Sequence, residues 1–328
     1  PDHLGVAPDA ELVCFAIGEV LFTTAVVTAY DHLLDQPDMW GVDVVNNSWG
    51  NAYAQFDPRN PVHVATKAAS DNGATVVFAA GNSGDGNGEG TLNPFSQAPW
   101  VLSVAAETVG HERGTFSSNG FRFDNSLPTA IGRGGRTTFT SDQVGVVHPD
   151  VAAPGVDISS SCDTAGTVVG PCPPGENTEA SGTSMASPHV AGAVAVLKQA
   201  NPALTPAQVR QVLQTTAVPV AAVDDDGEAT GETAPFWQVG YGRVDLAGAV
   251  QVAKSASEVQ RLAKTQAERD KDVLAATGMR VIRSDFATWD APRATLGTDQ
   301  RSFEVTRDGT ATHLKVTIVF PSEATLGA

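Results

Sequence analysis

Ser184 lies in Ala180-Ser181-Gly182-Thr183-Ser184-Met185-Ala186-Ser187-Pro188-His189, ahead of Val190, Ala193, Val194 and Leu197. Those four recur at i, i+3, i+4 and i+7, the apolar stripe of a helix over 187–200. A hydroxyl at the start of a buried helix sits in the field of free N–H groups, which favours negative charge developing nearby. Pro188 is expected in the first turn, where its missing N–H is not needed. Two readings of Ser184 follow: the commoner is a helix cap, the sharper a nucleophile for acyl transfer. Asn82, in Ala79-Ala80-Gly81-Asn82-Ser83-Gly84, is either a turn residue or an amide donor aimed at that charge. The third segment with polar groups at the end of a β-rich run is Asn46-Asn47-Ser48-Trp49-Gly50.

Taken whole, residues 182–188 resemble the serine-nucleophile motif of the subtilisin-like serine proteases, the subtilases. The segment 79–84 is similar to that family's oxyanion-hole segment, and 46–50 to the segment that pairs with the substrate backbone and walls the S1 pocket. Framework segments of the family are matched by Gly5-Val6-Ala7-Pro8-Asp9-Ala10, Asp150-Val151-Ala152-Ala153-Pro154-Gly155 and Gly240-Tyr241-Gly242-Arg243-Val244-Asp245-Leu246. The resemblance implies a serine endopeptidase in which Ser184 forms an acyl-enzyme. The Ser184 N–H and the Asn82 amide would hold the oxyanion. Ser48, Trp49, Gly50 and Gly81 would bind the substrate, with Trp49 narrowing or capping S1. Peptide or protein is the implied substrate, a propeptide the implied folding partner, and the exterior of the cell the implied location. The chemistry requires no cofactor, and the family leaves room for structural calcium.

The family's catalytic Asp and His stand in Asp-Ser/Thr-Gly and His-Gly-Thr-His contexts, and neither context occurs in the 328 residues. His3 lacks those neighbours, His63 and His111 have no motif around them, and His189 points away from Ser184 on the same helix. Without an imidazole to take its proton, Ser184 is a weak nucleophile, so the chain alone is expected to be nearly inactive. The rival reading is a subtilase-like pseudoprotease that binds peptides by β-augmentation without cutting them. An α/β-hydrolase would need a G-x-S-x-G elbow, which is not present.

Short apolar runs at 12–17, 42–47, 75–80 and 101–105 alternate with helix-like stretches at 23–34, 62–71 and 207–216. Near-continuous apolar runs suit parallel strands covered on both faces, so the expected fold is α/β, a three-layer subtilase fold with a mostly parallel sheet. Pro1 follows no methionine or signal peptide, and the chain ends soon after an apolar alternating run. Both ends read as cut, with the peptidase domain (1–254) expected to be N-terminally truncated. Residues 255–328 then read as a linker helix and the start of a β-sandwich-like accessory domain, with a hairpin around Asp308-Gly309.

Charge supports that boundary. The net charge is −17, with 37 acidic and 20 basic side chains. All of the imbalance lies before residue 255, since the tail carries ten of each sign. Such a chain is a poor match for nucleic acid or an anionic membrane, and its apolar stretches fall short of the ~20 residues that span a bilayer. Of the three cysteines, Cys162 and Cys172 read as a loop-closing bridge and Cys14 as a buried inert thiol. There is no C-x-x-C or H-E-x-x-H for a metal, and Asp224-Asp225-Asp226-Gly227-Glu228 lacks the first and last carboxylates of an EF-hand. Asn46-Asn47-Ser48 fits a glycosylation sequon, but its place on a strand entering the cleft argues against modification.

Overall fold

Runs that are apolar at nearly every position need cover on both faces, and two strands come close to that description. β2 (Thr75–Ala79) and β3 (Val101–Glu107) are buried along their whole length. With β1 (Val44–Asn47) and β4 (Val151–Pro154) they form a four-stranded sheet in the order β1-β2-β3-β4, every pair parallel. This computed structural model describes residues 4–18, 22–36, 40–51, 56, 59–84, 88–120, 148–162, 164–165, 171–255 and 257–259.

Alternate residues of β2 serve opposite layers. Val76 and Phe78 pack with Val26 and Tyr30 of α1 (Thr23–Asp35) and with Val62, Ala65 and Ala69 of α2 (Pro61–Asp71). Val77 packs with Val190, Val194 and Leu197 of α3 (Thr183–Ala200). The same layer takes Val209 and Leu213 of α4 (Pro206–Thr216), then Ala249 and Ala253 of α6 (Leu246–Ala253), which follows the short α5 (Phe236–Val239). The result is helix, sheet, helix: the expected three-layer architecture. Two antiparallel ribbons lie outside the main sheet, β5 (Ile158–Ser161) with β6 (Asn177–Ala180) and β7 (Ala221–Val223) with β8 (Ala229–Thr233).

Local signals explain the helix starts. Asn60 caps α2 by accepting from the Val62 N–H, and Pro61 opens the helix. Thr205 and Gln208 form a capping box at α4, again followed by Pro. Cys162 and Cys172 are disulfide-bonded, Cα to Cα 6.1 Å.

Three expectations change. The run 12–17 is not a strand, because it joins no ladder among the described residues and a strand needs a partner for its backbone groups. Outside the sheet it stays largely uncovered, with Leu12 93% exposed, and Cys14 is an exposed thiol rather than a buried one. Helix α3 begins at Thr183, four residues earlier than the apolar stripe indicates, so Pro188 sits in its second turn. The hairpin expected around Asp308-Gly309, the β-sandwich-like segment and His3 lie outside the described residues.

Candidate active site

Parallel strands deliver their carboxyl ends to one edge of a sheet, where α/β proteins hold their ligands. β1 and β2 run in register, Asn47 beside Phe78, so the segments that follow them emerge side by side. One carries Ser48, Trp49 and Gly50; the other carries Gly81 and Asn82. Helix α3 starts at the same edge. Gly155 permits this close approach: a Cβ there would lie 2.8 Å from both the Gly182 carbonyl oxygen and the Ala106 Cβ. Gly155 accepts from the Gly182 N–H at 2.7 Å. Gly81 has φ of +110°, and its N–H donates to Thr183 Oγ1 at 3.1 Å.

Gly182, at the N-cap position of α3, has no side chain to cap it. Asn82 does so from across the cleft. Its Oδ1 accepts from the Thr183 N–H at 2.9 Å and from the Thr183 hydroxyl at 2.8 Å. This early cap is why the helix starts before its apolar stripe. It also fixes the amide, because an Oδ1 committed to Thr183 turns Nδ2 the other way. Asn82 is exposed, and its Nδ2 makes no hydrogen bond among the described residues.

Ser184 is the second residue of α3 and half-buried. A mid-helix proline deprives the carbonyl four residues earlier of its N–H partner, and four before Pro188 is Ser184. The freed Ser184 carbonyl accepts from Ser48 Oγ at 2.8 Å. In return Ser184 Oγ donates to the Ser48 carbonyl at 3.2 Å. Ser48 Oγ also lies 2.8 Å from Ser187 Oγ and accepts from Asn46 Nδ2 at 3.0 Å. Thus Ser48, Gly81, Asn82 and Ser184, all singled out by sequence, are joined through Thr183 and one another. Trp49 sits beside them with its indole edge-on to Phe78 and Phe95, ring centroids 5.1 and 5.3 Å apart.

No described imidazole is hydrogen-bonded to Ser184. His189 Nδ1 lies 2.8 Å from the Met185 carbonyl on its own helix, and buried His63 turns Nε2 to the Pro94 carbonyl. His111 meets Arg243 at 3.1 Å, and His148 meets Asp150 at 3.0 Å.

Two residues of the site were missed in the sequence. Thr183 lies inside the recognised motif but had no role of its own. Asn93 is buried and joins the two cleft segments, its Nδ2 donating to the Trp49 carbonyl at 2.9 Å and the Ala79 carbonyl at 3.1 Å. Its signal is Asn93-Pro94, a cap followed by proline, and it does open a 3-10 turn at Pro94–Gln97.

Two carboxyls are buried at the ends of strands, Glu107 closing β3 and Asp150 just ahead of β4. Glu107, at the end of β3, is 1% exposed, and desolvation pushes its carboxyl up to about 7 against the pull of Arg243. Asp150 is desolvated as well, but Arg210, His148 and the Ser103 N–H outweigh this and hold its carboxyl below the ordinary 3.8. Among the described residues no group of three or more His, Cys, Asp or Glu is placed to hold a metal ion. No described helix is long and apolar enough to cross a membrane.

Comparison with known proteins agrees with this geometry. The chain is 32% identical to subtilisin E of Bacillus subtilis (strain 168) over 218 residues, 65% of this chain and 45% of that one. It is 29% identical over 256 residues to a probable subtilase-type serine protease of Deinococcus radiodurans, 74% of this chain and 29% of that one. The chain therefore spans less than half the length of these two relatives. Among solved structures, the patellamide maturation protease PatA superposes with a TM-score of 0.53 at 24% identity. That match covers 76% of this chain and 77% of the other, and speaks for the fold alone. The family model described as the subtilase family matches residues 1–242; with the strand ends, the Ser184 helix and the Asn82 turn meeting at one sheet edge, the chain belongs to the subtilase family.

Proposed function

We propose that this chain carries the nucleophile, oxyanion hole and substrate wall of a serine endopeptidase. Ser184 Oγ attacks the scissile carbonyl, forming an ester to the acyl group. The negative charge that develops on the carbonyl oxygen is held by the Ser184 N–H and Asn82 Nδ2. Collapse of that intermediate expels the amine, and water then releases the acid. Ser48, Trp49, Gly50 and Gly81 bind the extended substrate along the two segments that flank Ser184. The observation that carries this reading is the orientation of Asn82. Thr183 commits the oxygen of its amide, so the nitrogen is left to donate at the mouth of the cleft.

The Ser184 proton must pass to a general base during attack. Ser184 Oγ instead donates to the Ser48 carbonyl, which cannot take the proton. We therefore expect these 328 residues alone to be inactive on peptides, since the contexts that hold the family's catalytic Asp and His do not occur in them. The same observation favours a second reading, a non-catalytic subtilase-like module that binds peptides along 47–50. The Cys162–Cys172 bridge supports an oxidising, extracellular setting. Structural calcium remains a family-based proposal to be tested by chelation.

The test uses the full-length gene product and its Ser184→Ala variant on casein, with a fluorophosphonate probe. The peptidase reading expects hydrolysis and probe labelling in the parent and neither in the variant. Equal hydrolysis by both proteins would end it. Peptide binding without hydrolysis or labelling would establish the second reading.

A further inference from the structure

We propose that Asn93 is the floor of the pocket that receives the residue on the acyl side of the scissile bond, and that this floor limits the pocket to small, uncharged side chains. The proposal rests on the peptidase reading and deepens it.

A substrate carbonyl placed between Ser184 Oγ and Asn82 Nδ2 sends the preceding side chain between the two segments that leave β1 and β2. Asn93 bridges those segments. Its two amide hydrogens go one to each side, to the Trp49 and Ala79 carbonyls at 2.9 and 3.1 Å. This holds the two oxygens within about 6 Å of each other. The carboxamide also lies directly against Gly50, where an added Cβ would come within 2.2 Å of Nδ2. A carboxamide wedged there takes up the depth that a long side chain needs.

The floor is also fixed in place. Asn93 Oδ1 accepts from the Phe95 N–H at 3.2 Å, the Asn93 N–H donates to the Ala80 carbonyl at 2.7 Å, and Asn93 is 3% exposed. Both side-chain donors are used, so the floor offers no free N–H to a carboxylate. Among the described residues no acidic group is bonded to the Asn93 side chain to hold a Lys or Arg. A large side chain would have to displace the carboxamide and forfeit three hydrogen bonds, a discrimination on the order of 100-fold in kcat/KM.

The experiment compares tetrapeptide p-nitroanilides that differ only in the residue before the nitroanilide, hydrolysed by the full-length gene product. Ala and Ser are expected to exceed Phe, Leu and Lys by about 100-fold in kcat/KM. Asn93→Gly, which removes the floor, and Asn93→Ala, which lowers it, should raise the Phe-to-Ala ratio by about tenfold or more. A wild-type profile that favours Phe, Leu or Lys overturns the proposal, whether or not the variants fold. An unchanged ratio in folded variants overturns it too. Failure to cleave any substrate, with Ser184 unlabelled by a fluorophosphonate, overturns the peptidase reading itself.

Discussion

Glu107 offers a test that needs no substrate. Its carboxyl is 1% exposed, its Oε2 has no hydrogen bond among the described residues, and burial pushes its pKa from 4.5 to about 7. A carboxyl whose native pKa is raised holds its proton longer in the folded state than in the unfolded one. It contributes full stability below pH 4.5, loses it as pH rises through about 7, and is flat above. At 1.36 kcal/mol per pH unit, that interval amounts to about 3 kcal/mol. Glu107→Gln keeps the shape and never ionises, so the difference in unfolding free energy between variant and wild type should shift by about 3 kcal/mol in the variant's favour between pH 4.5 and 8. Asp150 does not confuse the reading, since its carboxyl is held below 3.8 and its own loss of stability comes on acidification beneath that window. His111 has Nδ1 4.0 Å from Glu107 Oε1, so both proteins are best compared in a His111→Gln background. Urea unfolding of the full-length gene product at half-unit pH steps measures the difference. A pH-independent difference, or a variant less stable than wild type at pH 8, would refute the argument. It would mean that Glu107 is ionised throughout and paired with Arg243.

Two further outcomes follow from the site's geometry. Thr183→Val keeps the N–H bond to Asn82 but removes the hydroxyl donor and the acceptor for the Gly81 N–H, so the Asn82 amide is held by one bond instead of two. For the proposed reaction kcat should fall about tenfold with KM little changed, and steady-state kinetics showing a rise in KM alone would count against a positioning role. Gly155→Ala places a Cβ 2.8 Å from the Gly182 carbonyl and 3.0 Å from the Ala186 Cβ, which should cost about 1–3 kcal/mol of stability in chemical denaturation. An unshifted unfolding midpoint would show that the helix start has room to retreat.

How much of this could be read in advance depended on whether the information was local. The runs 75–80 and 101–105 announce β2 and β3 because a strand covered on both faces is apolar at nearly every position. Ser184 and Asn82 were legible as members of motifs. The run 12–17 misled, because apolarity reports a wish to be buried, whereas a strand also needs a neighbour. The start of α3 was placed late because its first turn carries no apolar stripe and its cap comes from Asn82, 101 residues away along the chain. Asn93 was missed for a related reason. Its sequence signal is an ordinary turn signal, and its joining of Trp49 to Ala79 exists only in three dimensions.

The two ends of the Asn82 amide answer to different masters. Folding uses the oxygen, which caps the helix, and a carboxylate would cap a helix N-terminus at least as well. Only chemistry at Ser184 would use the nitrogen. The identity of residue 82 therefore separates selection for a stable fold from selection for a working site. A lineage that had lost peptide cleavage would be free to drift from Asn to Asp without loosening the helix. One still cutting peptides would not, since a second carboxylate oxygen would face the developing oxyanion.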